Sequence, residues 1–259
     1  MPALFSARMG PEWWLAVRNL VYPAFCRQCR VQLLTEENGY FCPACWTASP
    51  RIERPYCSCC GQPHQEMRGF GSLANYPCAT CREHPNAQID RIYGAARYEV
   101  AIAEAVKLMK FHGKQRLALP LAEVMAEFAE SEMAWDAYDA LVPVPLHRVR
   151  QRERGFNQSA LLAEALGGLL RGAPVDHSLE RIRPTRTQSR LSREERLANV
   201  RGAFAVCGDT LQGKRVLLID DVVTTAGTVT ECARVLKYAG ATSVDVFAVA
   251  LSAPHTRWV

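Results

Sequence analysis

Residues 216–229 read Val216-Leu217-Leu218-Ile219-Asp220-Asp221-Val222-Val223-Thr224-Thr225-Ala226-Gly227-Thr228-Val229. Four apolar residues in a row make a strand buried on both faces, and two adjacent acids close it. A short run of hydroxyl-bearing and small residues follows, and a helical pattern occupies 228–239 until Gly240 stops it. A strand that delivers carboxylates and then a loop at a helix N-terminus suits a sugar phosphate. The acids can accept hydrogen bonds from ribose hydroxyls, and backbone N–H groups with threonine hydroxyls can hold the phosphate. The competing reading is an ordinary strand–loop–helix turn capped by Thr228.

Outward from this segment the pattern repeats. Residues 91–98 and 243–251 read as strands, 139–145 as a short strand broken by prolines, and 100–111, 119–133 and 156–170 as helices. Strands alternating with helices predict an α/β domain over 86–259, built on a mostly parallel sheet with helices on both faces. The 259 residues are 49% hydrophobic and 22% charged, which excludes a largely disordered chain. The formal charge of +5 is too small to name a partner.

Residues 1–85 differ: nine of the eleven cysteines lie there. Cys26-x2-Cys29 with Cys42-x2-Cys45, and Cys57-x2-Cys60 with Cys78-x2-Cys81, have the spacing of two structural four-sulfur Zn²⁺ sites. Pairing crossed between the two sets stays open, as does a single zinc with the second set loose or redox-active. Asn38-Gly39 suits a tight turn between the first two knuckles, and Gly61 a left-handed position after the third. His64-x-Glu66 followed by Pro77-Cys78-x2-Cys81 spells a zinc deaminase signature, but only ten residues separate its halves, too few for the intervening elements. Clustered cysteines without an export signal point to a reducing cytoplasm. Residues 12–25 read as a short amphipathic helix, with no membrane span.

The motifs taken together resemble the ComF/GntX family, ComFC-like proteins with a double zinc ribbon before a type I phosphoribosyltransferase domain. The resemblance covers nearly the whole chain. Its carriers are the Cys-rich N-terminus, Lys107-x2-Lys110-Phe111 with Gly113, Val142-Pro-Val-Pro-Leu-His147, and Arg154-Gly-Phe-Asn-Gln158. Gln188, Leu191-Ser-x2-Glu195-Arg196, Asn199 and the Asp220-Asp221 loop complete the set. It implies binding of phosphoribosyl pyrophosphate (PRPP) with Mg²⁺. Asp220 and Asp221 are then the catalytic pair on the ribose hydroxyls. Thr224, Thr225, Ala226, Gly227 and Thr228 hold the 5-phosphate, and Val144, Pro145 and His147 lie near pyrophosphate. The Arg-rich 181–196 segment falls at the family's flexible hood. One departure stands out: the family's usual Thr-Thr-Gly-x-Thr is Thr-Thr-Ala-Gly-Thr here, which puts Ala226 where glycine is expected.

The resemblance also implies a link to natural transformation (competence) and DNA uptake or utilisation. Three readings follow from it. The chain is a PRPP-dependent transferase with an unassigned acceptor, or a single-stranded DNA-binding factor with PRPP as regulator or substrate. The third reading is an inactive transferase fold whose zinc module docks a DNA-uptake helicase or another competence protein. Arg148, Arg150, Arg152 and Arg154 are the candidate nucleic-acid strip, since guanidinium groups bind phosphates and stack on bases.

Overall fold

A computed structural model describes residues 23–33, 39–64, 74–184 and 199–252. The chain forms two compact units, residues 1–48 and 49–259. In the smaller unit, β1 (Ala24–Phe25) and β2 (Gln32–Leu33) make an antiparallel pair, followed by the short helix α1 (Pro43–Thr47). Of the helix expected at 12–25, residues 12–22 lie outside the described residues, and Ala24 and Phe25 are strand. Asn38 is likewise outside them, while Gly39 has φ +70°.

The larger unit opens with the short helix α2 (Ala79–Glu83) and is built on a four-stranded parallel sheet. Its strands are β3 (Arg91–Arg97), β4 (Ala140–Pro143), β7 (Arg215–Val223) and β8 (Ser243–Leu251), in the order β3-β8-β7-β4. Val216–Ile219 and Val244–Ala250, apart from Asp245, are almost wholly enclosed, which explains their unbroken apolar sequence. Helices α3 (Val100–His112) and α4 (Ala118–Glu132) connect β3 to β4. On α4, Leu121, Val124, Met125 and Phe128 recur at helical spacing and face inward, with Phe128 packed on Tyr93 and Phe247. Two helices follow β4: α5 (Arg148–Arg154) and α6 (Gln158–Leu170). An antiparallel hairpin, β5 (Leu179–Arg181) with β6 (Phe204–Val206), precedes β7. Helix α7 (Gly227–Tyr238) joins β7 to β8. Among the described residues no helix is long and apolar enough to cross a membrane.

The connections explain where a ligand can sit. The path β3 to β4, and on through α6 to the parallel bridge between Leu141 and Val175, runs one way across the sheet. The path β7 to β8 runs back. Right-handed crossovers in opposite directions put their helices on opposite faces. Accordingly α4 and α6 pack against each other, while α7 covers the other face. At the carboxyl ends of β4 and β7 the chain therefore diverges, and this switch point leaves a crevice.

Candidate functional site

Each group of four cysteines comes together as the spacing predicts. Cys26, Cys29, Cys42 and Cys45 have all their sulfurs within 4.8 Å of one another, and so do Cys57, Cys60, Cys78 and Cys81. The Cys29–Cys42 and Cys60–Cys78 sulfurs are 3.6 and 4.0 Å apart. A tetrahedral Zn²⁺ with sulfur at about 2.3 Å has an edge of about 3.8 Å, so the groups fit that ion. The cysteines are not disulfide-bonded. Backbone N–H groups point at the sulfurs, from Cys45 to Cys42 and from Cys60 and Cys78 to Cys57. Bonds from the Cys60 thiol and nearby N–H groups hold Cys57 down at about 4 against burial, while Cys60, bonded to that thiolate, and Cys81, buried beside it, are pushed up. Only a cation lets all four lose their protons together. His64 stacks on Tyr76 at 3.9 Å with its Nε2 3.0 Å from the Tyr76 carbonyl, so it is engaged away from the sulfurs; Glu66 lies outside the described residues.

The second group is part of the larger unit and is bonded to its edge strand. Ile92 N–H donates to the Cys59 carbonyl at 2.8 Å. Gly61 has φ +71°, as its place after the knuckle predicts, and a Cβ there would stand 2.5 Å from the Ile92 oxygen. Gln62 Nε2 donates to the Ser252 carbonyl, and Ser252 N–H to that of Val223, at the end of β7.

At the switch point lies a cleft of about 540 Å³. Its walls bring together the acids Asp220 and Asp221, the 224–228 loop, Val144 to His147, and Arg150 with Arg154. Asp220 is buried, accepts hydrogen bonds from Ser159 Oγ at 3.1 Å and Asp221 N–H at 2.9 Å, and has its carboxyl raised to about 7 by burial and then by the Asp221 charge. Lys110 Nζ lies 3.0 Å from Asp221 Oδ2; burial opposes its charge, but Asp221 and Asp220 outweigh that and hold it up. The loop enters α7 through Ala226, at φ +55°. Alanine thus sits where glycine is favoured, at a local cost of about 1–2 kcal/mol. Ala226, and not Thr228, is the N-cap, and no side-chain hydrogen bond caps α7 there.

The neighbouring loop is held by Asn157, whose side chain caps α6 through Ser159 N–H and donates to the Val144 carbonyl at 3.0 Å. His147 caps α5, accepting from Val149 N–H at its Nδ1. The four candidate arginines alternate along α5 and do not share one face. Arg150 and Arg154 line the cleft; Arg148 is paired with Glu180 at 3.4 Å.

Comparison with known proteins now bears on this geometry. The double zinc ribbon domain family matches residues 17–83, and the phosphoribosyl transferase domain family matches residues 208–258. The DNA utilization protein YhgH of Salmonella typhi is 33% identical over 231 residues, 88% of this chain and 97% of that protein. The chain belongs to the ComF family. Competence protein F of Haemophilus influenzae is 28% identical over 87% of this chain and 96% of its own, and competence protein ComFC of Bacillus subtilis 28% over 84% and 87%. The parallel sheet with its flanking helices is thus the phosphoribosyltransferase-like α/β fold of this ComF protein, and the two four-cysteine groups fit its zinc ribbons.

Sequence reasoning left several cleft residues of the ComF chain without a role. Lys110, Phe111, Arg154 and Gln158 sit in motifs that carried the resemblance, and of these Arg154 alone had a role, as a nucleic-acid candidate; the fold shows that all four border the acid pair. Ser159 and Tyr98 had no signal of their own, and Arg181 was read only as the start of the hood segment. Arg181 belongs to β5 and lies over Phe204 at 5.3 Å, a position its Arg-rich surroundings did not suggest. Residues 185–198 of that segment, with Gln188, Leu191, Glu195 and Arg196, lie outside the described residues.

Proposed function

We propose that the cleft binds PRPP and that the chain acts on it in DNA uptake or utilisation, a reading supported by relatives named for DNA utilization and for competence. The observation that carries this reading is the convergence of the Asp220–Asp221 pair with the 224–228 loop at the switch point. Asp220 and Asp221 accept hydrogen bonds from the ribose hydroxyls, and residues 224–228 with the uncapped start of α7 hold the 5-phosphate. Val144, Pro145 and His147 border the pyrophosphate. A Mg²⁺ ion on the diphosphate supplies charge neutralisation of the leaving group when bound. Lys110 holds Asp221 in place until a sugar arrives. In this reading residues 1–85 carry the zinc and residues 86–259 the chemistry, in the cytoplasm.

Calorimetric titration with PRPP tests it. Binding is expected to require Mg²⁺ and to weaken at least about 100-fold when Asp220→Asn and Asp221→Asn are combined, because two charge-assisted contacts are lost. Equal binding by parent and double variant would remove the assignment.

Arg150 and Arg154 on the cleft wall favour a second reading, a single-stranded DNA-binding factor on a catalytically inactive transferase fold, with a helicase or other competence protein as its partner. It expects affinity for oligonucleotides that falls steeply with salt, and a shallower slope after charge reversal at these two residues. An unchanged slope would sink it.

A further inference from the structure

The second cysteine group reaches further than its sulfurs. Gln62 follows its first knuckle, is buried, and accepts the Cys57 N–H at its backbone carbonyl at 2.8 Å. The knuckle is seated on the end of β8, since a Cβ at Gly61 would stand 3.1 Å from the Leu251 side chain. From there the Gln62 side chain meets the carboxyl edge of the sheet, where Nε2 donates to the Ser252 carbonyl at 2.9 Å. Ser252 lies one residue beyond β8, and its own N–H donates at 3.1 Å to the carbonyl of Val223, the last residue of β7. Gln62 and Ser252 thus link the Cys57 backbone to the residue that precedes the 224–228 loop.

The last link sets a direction. Val223 turns its carbonyl towards β8, and the peptide bond that follows is trans, so the Thr224 N–H points the opposite way. The strand on that side is β4, and the cleft opens between the carboxyl ends of β7 and β4. Among the described residues no group accepts from the Thr224 N–H. A backbone N–H in this place serves an anion best when its direction is fixed before the anion arrives. A peptide plane free to swing at the end of a strand would give up part of the contact to ordering.

We propose that Gln62 is a positioning residue for the 224–228 loop: through Ser252 it fixes the peptide plane that aims the Thr224 N–H at the 5-phosphate of the ligand. The inference rests on the PRPP reading for the identity of that phosphate. Gln62 touches no ligand and does not line the cleft. A buried glutamine that only capped a strand end would influence stability alone, whereas this one also influences how tightly a sugar phosphate is held. The diphosphate end of the ligand, beside Val144 to His147, lies on the other wall and owes Gln62 nothing.

The test uses the zinc-loaded full chain and two variants. Gln62→Met keeps the length and removes the donor, and Gln62→Asn keeps the amide but is too short to reach. Calorimetry with Mg²⁺ present measures PRPP, ribose 5-phosphate and pyrophosphate, well below each thermal midpoint. Both variants should keep the parent's zinc content and exchange the Ser252 amide faster. They should bind PRPP and ribose 5-phosphate about 3- to 10-fold more weakly, with pyrophosphate unchanged. Ribose 5-phosphate affinity equal to the parent's overturns the inference, and so does equal weakening of all three ligands. Loss of zinc or of the folded state in both variants also overturns it, by making Gln62 purely structural. A parent that binds neither PRPP nor ribose 5-phosphate removes the PRPP reading together with this inference. A parent that binds both, matched by its variants, removes this inference alone.

Discussion

Asp220→Asn should make this protein more stable, and more so as pH rises. The Asp220 carboxyl is enclosed beside Asp221, and its value is raised from 3.8 to about 7, first by burial and then by that charge. With the folded value above the unfolded one, the stability this group carries is complete below about pH 4 and is lost as pH climbs to about 7. Three pH units at about 1.4 kcal/mol each give about 4 kcal/mol at stake. An asparagine carbonyl can accept the same bonds from Ser159 Oγ and Asp221 N–H without carrying the charge. Zinc-loaded parent and variant can be compared by urea unfolding, with amide exchange along β7 as a local probe, only above about pH 5.5, where the thiolates keep their metal. Between about pH 5.5 and 8.5 the advantage of the variant should grow by about 2 kcal/mol. A constant difference across that range, or a less stable variant at the upper end, would refute the reasoning. A group that costs stability when alone and ligand-free is in keeping with a binding site.

Other expectations follow from the same geometry. Metal analysis should find two zinc ions per chain, and Cys57→Ser should leave one. Gly61→Ala forces a side chain into the Ile92 carbonyl at positive φ, and should cost about 2–4 kcal/mol in urea unfolding. Lys110→Met strands the Asp221 carboxylate, 3% exposed, without its cation. It should cost about 3 kcal/mol at neutral pH, most of which Lys110→Arg should recover.

The fold was legible wherever burial was two-sided or a helix had one apolar face. Val216–Ile219 and Ser243–Leu251 could be nothing but inner strands, and Leu121 to Phe128 kept strict helical spacing. The hairpin β5–β6 was not legible, because three-residue strands among arginines carry no period. Helix α5 was hidden for a related reason. Arginine at every second position resembles a strip until the helical turn sends successive residues to different sides. In the site, the acid pair and the 224–228 loop are contiguous in sequence and announce themselves. Lys110, Phe111 and Ser159 reach them only through tertiary packing, which no local pattern encodes.

The strand β3 is the outer edge of the sheet, and residues 50–59 run beside it. Ile52 N–H donates to Ala95, Arg97 N–H to Pro50 and Ile92 N–H to Cys59, with an antiparallel bridge between Arg51 and Ala96. An uncovered edge is a template for another chain, and this one is shielded by a segment whose far end is pinned by the second cysteine group. Loss of metal there is expected to lower solubility, read as aggregation of the metal-free chain by light scattering. A zinc-starved chain would be lost to strand-to-strand aggregation before its cleft was damaged, and its failure would look like poor yield instead of poor binding.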